Sequence, residues 1–204
     1  AVAQPSAADP DGRGFRVESA VDRRSFRPVA HALRTPSLRT PDDPRGPERA
    51  VGRRQGTRGG NLWLAADESV SSLAGDAVSA ALVRSGFRPV PGSPAEPGED
   101  AFDVSIEVLA FWTWVRRTEL SLDRIESEIV LRVRTSQGPF DGGAVLCGQS
   151  QRATPSPSAR DWSATLQAAL DDLGADLERV LTERDRSAPT WRCRLPEGSQ
   201  ALFR

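Results

Sequence analysis

Three long extended runs, over residues 101–115, 120–134 and 144–152, constrain the fold of this chain most strongly. In the first run Phe102, Val104 and Ile106 alternate with polar residues, which is the period of a strand with one buried face. Past residue 109 the alternation changes, and we predict a bulge or bend near Ala110. Because the connections between the runs are too short for crossover helices, the runs predict an antiparallel meander.

Two amphipathic helices flank these strands in the sequence. Apolar residues recur at three- and four-residue spacing over residues 70–82 and again over residues 159–183. Ser158 with Asp161 resembles a capping box before the second helix, and Gly86 stands where a left-handed residue ends the first. One-sided helices and strands predict an α+β fold, a two-layer sandwich with both helices packed on one face of a mostly antiparallel sheet.

The first 60 residues are rich in turn-forming residues. We predict a flexible lead over residues 1–14, a strand over 15–21 and a loop over 35–60 that is rich in Arg, Pro and Gly. Short strands are expected over 61–66 and 87–90, and an irregular tail over 188–204. The chain is therefore interpreted as one α+β domain, residues 15–187, between a lead and a tail.

Few side chains in this sequence are suited to catalysis. The 27 basic residues are all Arg, and the chain has one His, two Cys, no Met and no Tyr. This inventory excludes Schiff-base lysines, multi-histidine metal sites and Cys-rich zinc modules. The single His31 lies in a Pro- and Arg-rich connection, and acidic pairs such as Asp171 with Asp172 are expected to be solvated. We therefore expect no catalytic residue, no metal, no cofactor and no enzymatic activity.

Positive charge is concentrated near the N-terminus, although the formal net charge is −1. Residues 13–58 hold 12 Arg against five acidic residues, and an acidic body follows. The candidate residues for binding an anionic lipid headgroup or glycan are Arg45, Arg49, Arg53, Arg54 and Arg58. The alternative is a solvated loop that offsets the acidic body. Nucleic acid is not expected, because no aromatic residue in the run is placed to stack on bases.

Trp112, Trp114 and Arg116 share one face of the first long run. If the helices cover the opposite face, an exposed Trp pair forms a contact surface for a protein partner. The alternative is that both rings pack in a core after the predicted change of register. The sequence leaves the two open.

Cys147 and Cys193 make an even cysteine count without CxxC spacing, which is compatible with one disulfide in an oxidising compartment. Such a bond would contribute about 4 kcal/mol on the chain-entropy model. The alternative is two unrelated small hydrophobic residues. Ala1 is compatible with removal of either an initiator Met or a secretory signal.

Several short motifs follow one another in an informative order. They are the Asp-x-Arg turn of Asp22 and Arg24, a basic Gly-containing segment over residues 50–54, a helix that closes on Gly86 and Phe87, a hairpin over 102–133 and a final helix over 162–181. Together they resemble the YajG-like family of bacterial envelope lipoproteins of the outer membrane.

The resemblance implies an α+β domain tethered at the outer membrane and facing the periplasm, and it carries over no catalytic residue. Members begin with a lipid-bearing Cys, whereas this sequence begins with Ala1. Either that Cys lies outside the given chain or this member is a soluble periplasmic relative. We expect a non-enzymatic accessory or structural subunit of an envelope complex that binds envelope proteins. The alternative is binding of anionic glycan or lipid through the 45–58 loop.

Overall fold

A 17-residue strand, β5 (Ala101–Arg117), organises the sheet of this protein. The computed structural model describes residues 12–24, 26, 46–53, 60–91, 101–117, 122–136, 139–140 and 142–182. In chain order the other elements are β1 (Gly14–Asp22), a 3-10 turn (Pro47–Arg49), β2 (Ala50–Arg53), β3 (Asn61–Trp63), α1 (Val70–Arg84), β4 (Arg88–Pro89), β6 (Asp123–Thr135), β7 (Ala144–Thr154) and α2 (Ala159–Thr182). Most of the predicted lead, much of the 35–60 loop and the whole predicted tail lie outside the described residues.

The strands β5, β6 and β7 form the antiparallel meander that the alternating runs predict. β6 pairs with β5, and Arg117 opposite Asp123 is the last residue pair before their connection. β7 pairs with β6 over most of its length. A register shift between Val108 and Ala110 confirms the predicted bulge. Before it the even-numbered residues of β5 enter the main core, and after it Phe111 does. The bulge therefore exchanges the set of side chains that each face of the strand buries.

The other edge of β5 is shared by two parallel strands. β1 runs parallel to its first half, ending with Asp22 opposite Val108, and β2 runs parallel to it at Thr113 and Trp114. β4 pairs in parallel with β1, and β3 pairs antiparallel with β2. The predicted α+β class is confirmed, and the sheet is mixed rather than purely antiparallel, with the antiparallel meander on one side of β5 and parallel strands on the other. Parallel partners need long connections, and the segments from β1 to β4 and from β2 to β5 both contain α1.

Both helices begin at residues with clear capping geometry, and α1 also ends at one. α1 starts after Ser69, whose side chain accepts a hydrogen bond from the Ser72 N–H, and Gly86 with φ of 94° follows its last turn, as predicted. Ser158 and Asp161 form the predicted capping box of α2. The Ser158 hydroxyl accepts from the Asp161 N–H at 3.2 Å, and the Asp161 carboxylate accepts from the Ser158 N–H at 3.1 Å.

The helices and the sheet share the main core cluster. α1 contacts β1 and β5, while α2 contacts β6 and β7. Glycine permits a close approach of α2 to β7, because a Cβ on Gly148 would lie 1.9 Å from the Ala169 carbonyl oxygen. Among the described helices, neither has the length and hydropathy of a membrane-spanning segment.

Candidate functional site

A buried guanidinium joins the two strands that share the edge of β5. The Arg24 side chain, just after β1, is fully buried, and its Nε and Nη2 donate to the two carboxylate oxygens of Asp22 at 2.9 and 2.7 Å. Its Nη groups also donate to the carbonyl oxygens of Ala50 at 2.6 Å, Phe111 at 3.2 Å and Pro47 at 2.9 Å. One side chain therefore connects the end of β1, the start of β2 and the middle of β5, and a carboxylate balances its charge.

Trp112 and Trp114 belong to a small core cluster on the face of β5 opposite the main core. They are 7% and 4% exposed. Phe26 meets the Trp112 ring edge-on at 5.3 Å between centroids, and the Arg24 guanidinium lies 4.7 Å from the centre of that ring. This burial agrees with the core-packing alternative and not with an exposed Trp pair. A role of the two residues in binding a partner stays a prediction.

The third residue of that predicted surface, Arg116, lies on β5 opposite Arg124. Its side chain is outside the described part of the protein. The structure thus brings Trp112 together with Arg24.

A groove of about 380 Å³, here named the β6–β7 groove, opens beside Trp114. Glu126 and Glu128 of β6 and Gln149 and Gln151 of β7 line it. The Trp114 Nε1 donates to the Glu126 carboxylate at 2.9 Å, which holds both groups at the groove wall. Both glutamines are exposed residues of β7. The groove therefore presents exposed amide groups and carboxylates beside the buried Trp114 ring.

Carboxylates of α2 cover part of the outer edge of β7. Asp176 Oδ2 accepts from the Cys147 N–H at 3.0 Å, and Asp172 Oδ2 accepts from the Gln149 N–H at 2.9 Å. Edge-strand N–H groups otherwise offer a place for another chain to pair, so these two positions are closed to strand addition. The sequence analysis missed this role. The available signal is the four-residue spacing of the two acids on one face of a helix that follows an edge strand.

Of the five candidate arginines in the 45–58 loop, only Arg49 has described side-chain contacts. Its Nε donates to the Ala65 carbonyl oxygen at 3.0 Å and its Nη2 to that of Leu64 at 2.9 Å. These bonds fasten the 3-10 turn to the chain just after β3. Arg53 lies in β2 opposite Trp114, with its side chain outside the described part. The positions outside the described residues are Arg45, Arg54 and Arg58.

Cys147 is a buried residue of β7. Its predicted disulfide partner Cys193 lies outside the described residues, as does His31. The disulfide therefore stays a prediction.

Several other described carboxylates form structural contacts. Asp103 pairs with Arg16 at 2.9 Å and Glu107 pairs with Arg132 at 2.8 Å, both across neighbouring strands. Hydrogen bonds from Ser158, with smaller contributions from nearby arginine charges, hold the pKa of Asp161 below its usual range. Within the described ranges, no group of three or more His, Cys, Asp or Glu side chains is arranged to hold a metal ion.

Comparison with known proteins finds distant structural likeness and no sequence match. No family model matches the chain, and no curated protein matches it. A solved structure from Xanthomonas campestris, described by the DUF330 family model, has 12% identity and a TM-score of 0.45, with 84% of each chain covered. A second solved structure, described as an uncharacterised protein, has 10% identity and a TM-score of 0.36 over 82% of this chain and 92% of that one. The YajG-like resemblance stays a prediction.

Proposed function

We propose that this chain is a non-enzymatic accessory or structural subunit of a periplasm-facing envelope assembly at the outer membrane, and that it acts through protein–protein contacts. The observation that carries the proposal is the β6–β7 groove. The two glutamines that line it are exposed on β7. Two N–H groups at the outer edge of β7 already donate to carboxylates of α2, so a partner would contact the side chains of this strand rather than pair with its main chain. The envelope location rests on the family resemblance of the sequence.

The use of the carboxylates favours a binding role over a catalytic one. Asp22, Asp103 and Glu107 pair with arginines, and Asp172 and Asp176 accept from main-chain N–H groups. An acid–base catalyst needs a carboxyl group positioned toward a substrate, whereas these groups hold strands and helices together. The shared core of the two helices and the sheet also favours the predicted two-layer arrangement.

A photo-crosslinking experiment in native cells tests the proposal. A benzophenone amino acid replaces Gln151 in the groove of the full chain. In the control chain it replaces Val83, a residue of α1 that is 46% exposed. We expect light-dependent adducts with an envelope protein from position 151 and none from position 83. The proposal would be contradicted if neither position gave adducts and the protein were recovered as an unlipidated monomer. Mass analysis of the same material identifies the N-terminus and, without reductant, tests the Cys147–Cys193 disulfide.

The alternative, binding of anionic glycan or lipid headgroups through the 45–58 loop, is a second proposal. It is supported by the excess of arginine over acidic residues in residues 13–58. Arg49 is a weak candidate, because its guanidinium already bonds two carbonyl oxygens. Binding to vesicles of anionic lipid should weaken steeply between low and moderate salt, and Arg54→Gln with Arg58→Gln should weaken it more than Arg49→Gln. Vesicle binding that is independent of salt and of these substitutions excludes this alternative.

A further inference from the structure

A second groove, distinct from the β6–β7 groove, lies where the two helices meet the β2–β3 pair. It has a volume of about 410 Å³, within the range of small-molecule sites. Its walls are mainly apolar and include Leu62, Trp63, Leu73, Trp162, Leu166 and Leu170. All of these except Trp162 are half-buried, so the groove has an apolar lining in contact with solvent.

One residue of the wall, Trp162, carries a buried polar atom that has no hydrogen-bond partner. The Trp162 side chain is part of the groove wall, and the residue is 7% exposed. Its indole Nε1 is buried and makes no hydrogen bond. A buried donor without an acceptor costs free energy comparable to a lost hydrogen bond, and a Trp in a core normally finds a partner.

The charge at the groove selects among ligands. Glu68 is the charged member of its described lining, and it is exposed. A carboxylate at the rim repels anions and leaves uncharged molecules unaffected. A carbonyl or ester oxygen is the group that complements an indole N–H without adding charge.

We propose that this groove binds an uncharged, mainly apolar small molecule whose carbonyl or ester oxygen accepts a hydrogen bond from Trp162 Nε1. Because that nitrogen is closed to water, wall side chains move slightly apart to admit the acceptor. The site is independent of the β6–β7 groove and of the subunit role proposed above.

Nile red is a suitable probe, because it is uncharged, apolar and carries a carbonyl oxygen. Titration into the full chain, followed by the blue shift and rise of its fluorescence, should give saturable binding of one dye per protein. Trp162→Phe keeps an aromatic ring but removes the donor, and should weaken binding about fivefold. Leu166→Gln, which places an amide in the apolar wall, should weaken it at least as much. Val83→Gln is the matched control on an exposed apolar residue of α1 outside the groove, and should leave affinity unchanged.

A second probe tests the role of charge without altering the core. Anilinonaphthalene sulfonate is apolar but anionic, and should bind the native chain more weakly than Nile red does. Glu68→Arg reverses the rim charge at an exposed position, so it should tighten binding of the anionic dye and leave Nile red unaffected. Circular dichroism and a melting curve establish that each variant is folded. The proposal is overturned if folded native protein takes up no stoichiometric Nile red, or if neither Trp162→Phe nor Leu166→Gln alters its affinity.

Discussion

The guanidinium of Arg24 donates hydrogen bonds from Nε and Nη2 to the carboxylate of Asp22 at the point where β1 ends. The Arg24 side chain has no exposed surface, and that of Asp22 is 17% exposed. Arg24 also bonds carbonyl oxygens of the 3-10 turn, of β2 and of β5. The Asp-x-Arg turn therefore fixes the position of β2 relative to β1 along β5, the strand with which both pair.

Removal of either partner of this pair should destabilise the fold strongly. Arg24→Ala removes the guanidinium that donates to Asp22 and to three carbonyl oxygens, and Asp22→Asn leaves a buried guanidinium without its counter-charge. Each change is expected to lower the free energy of unfolding by about 3–5 kcal/mol. Urea unfolding followed by tryptophan fluorescence measures the loss.

The neighbouring residue provides the control for this pair. Arg23 is exposed, and Arg23→Ala should change stability by less than about 0.5 kcal/mol. Equal losses in Arg23→Ala and Arg24→Ala would mean that the Arg24 bonds do not support the fold.

Gly148 is required where α2 crosses β7. A Cβ there would lie 1.9 Å from the Ala169 carbonyl oxygen and 2.8 Å from the Leu173 Cβ, so the helix must move away. Gly148→Ala should therefore lower the free energy of unfolding by about 3 kcal/mol. Gly142→Ala is the matched control, since a Cβ there meets no atom within 4 Å. A chemical denaturation curve for each variant gives the comparison, and equal stability of the two would contradict the close approach.

Local patterns in the sequence predict much of this fold. The bulge near Ala110 follows from a change of alternation, and the Ser158–Asp161 capping box and the Gly86 helix end follow from residue type and spacing. Each is determined by residues close in sequence. The parallel edge of β5 is not predictable in this way, because β1 and β2 reach it from far along the chain.

The burial of the predicted Trp surface is likewise not predictable from local sequence. The sequence places Trp112 and Trp114 on one face, but Trp112 packs against Phe26 and Arg24, which precede it by more than 80 residues. Arg24 is predictable only as part of a turn, since its carbonyl partners come from three other segments. The groove beside Trp162 likewise combines two helices and a strand pair, and no local pattern indicates it.

Asp176 should protect one main-chain amide of β7. Asp176→Ala leaves the buried Cys147 N–H without its acceptor, at a cost of about 1–3 kcal/mol. Hydrogen exchange at the Cys147 amide should accelerate roughly tenfold or more. The Gln149 amide, which bonds to Asp172, should stay protected within the same variant. Asp171→Ala alters an exposed acid five residues earlier and should affect neither amide. A Cys147 amide that exchanges as slowly in Asp176→Ala as in the native chain would rule out this role.

The capping box of α2 should make stability depend on pH at the acidic end. Hydrogen bonds from Ser158 lower the pKa of Asp161 in the folded chain, with a smaller contribution from the Arg152 charge. A carboxyl with a lowered folded pKa stabilises the protein above its unfolded pKa, and this stabilisation is lost as the pH falls through the folded pKa. Asp161→Asn should therefore melt below the native chain at neutral pH, and the two should converge below the folded pKa. Ser158→Ala should raise the pKa of Asp161, measured by carboxyl-carbon NMR, whereas Ser163→Ala on an exposed residue of α2 should leave it in place. An Asp161 pKa that is the same in all three chains would show that Ser158 does not cause the shift.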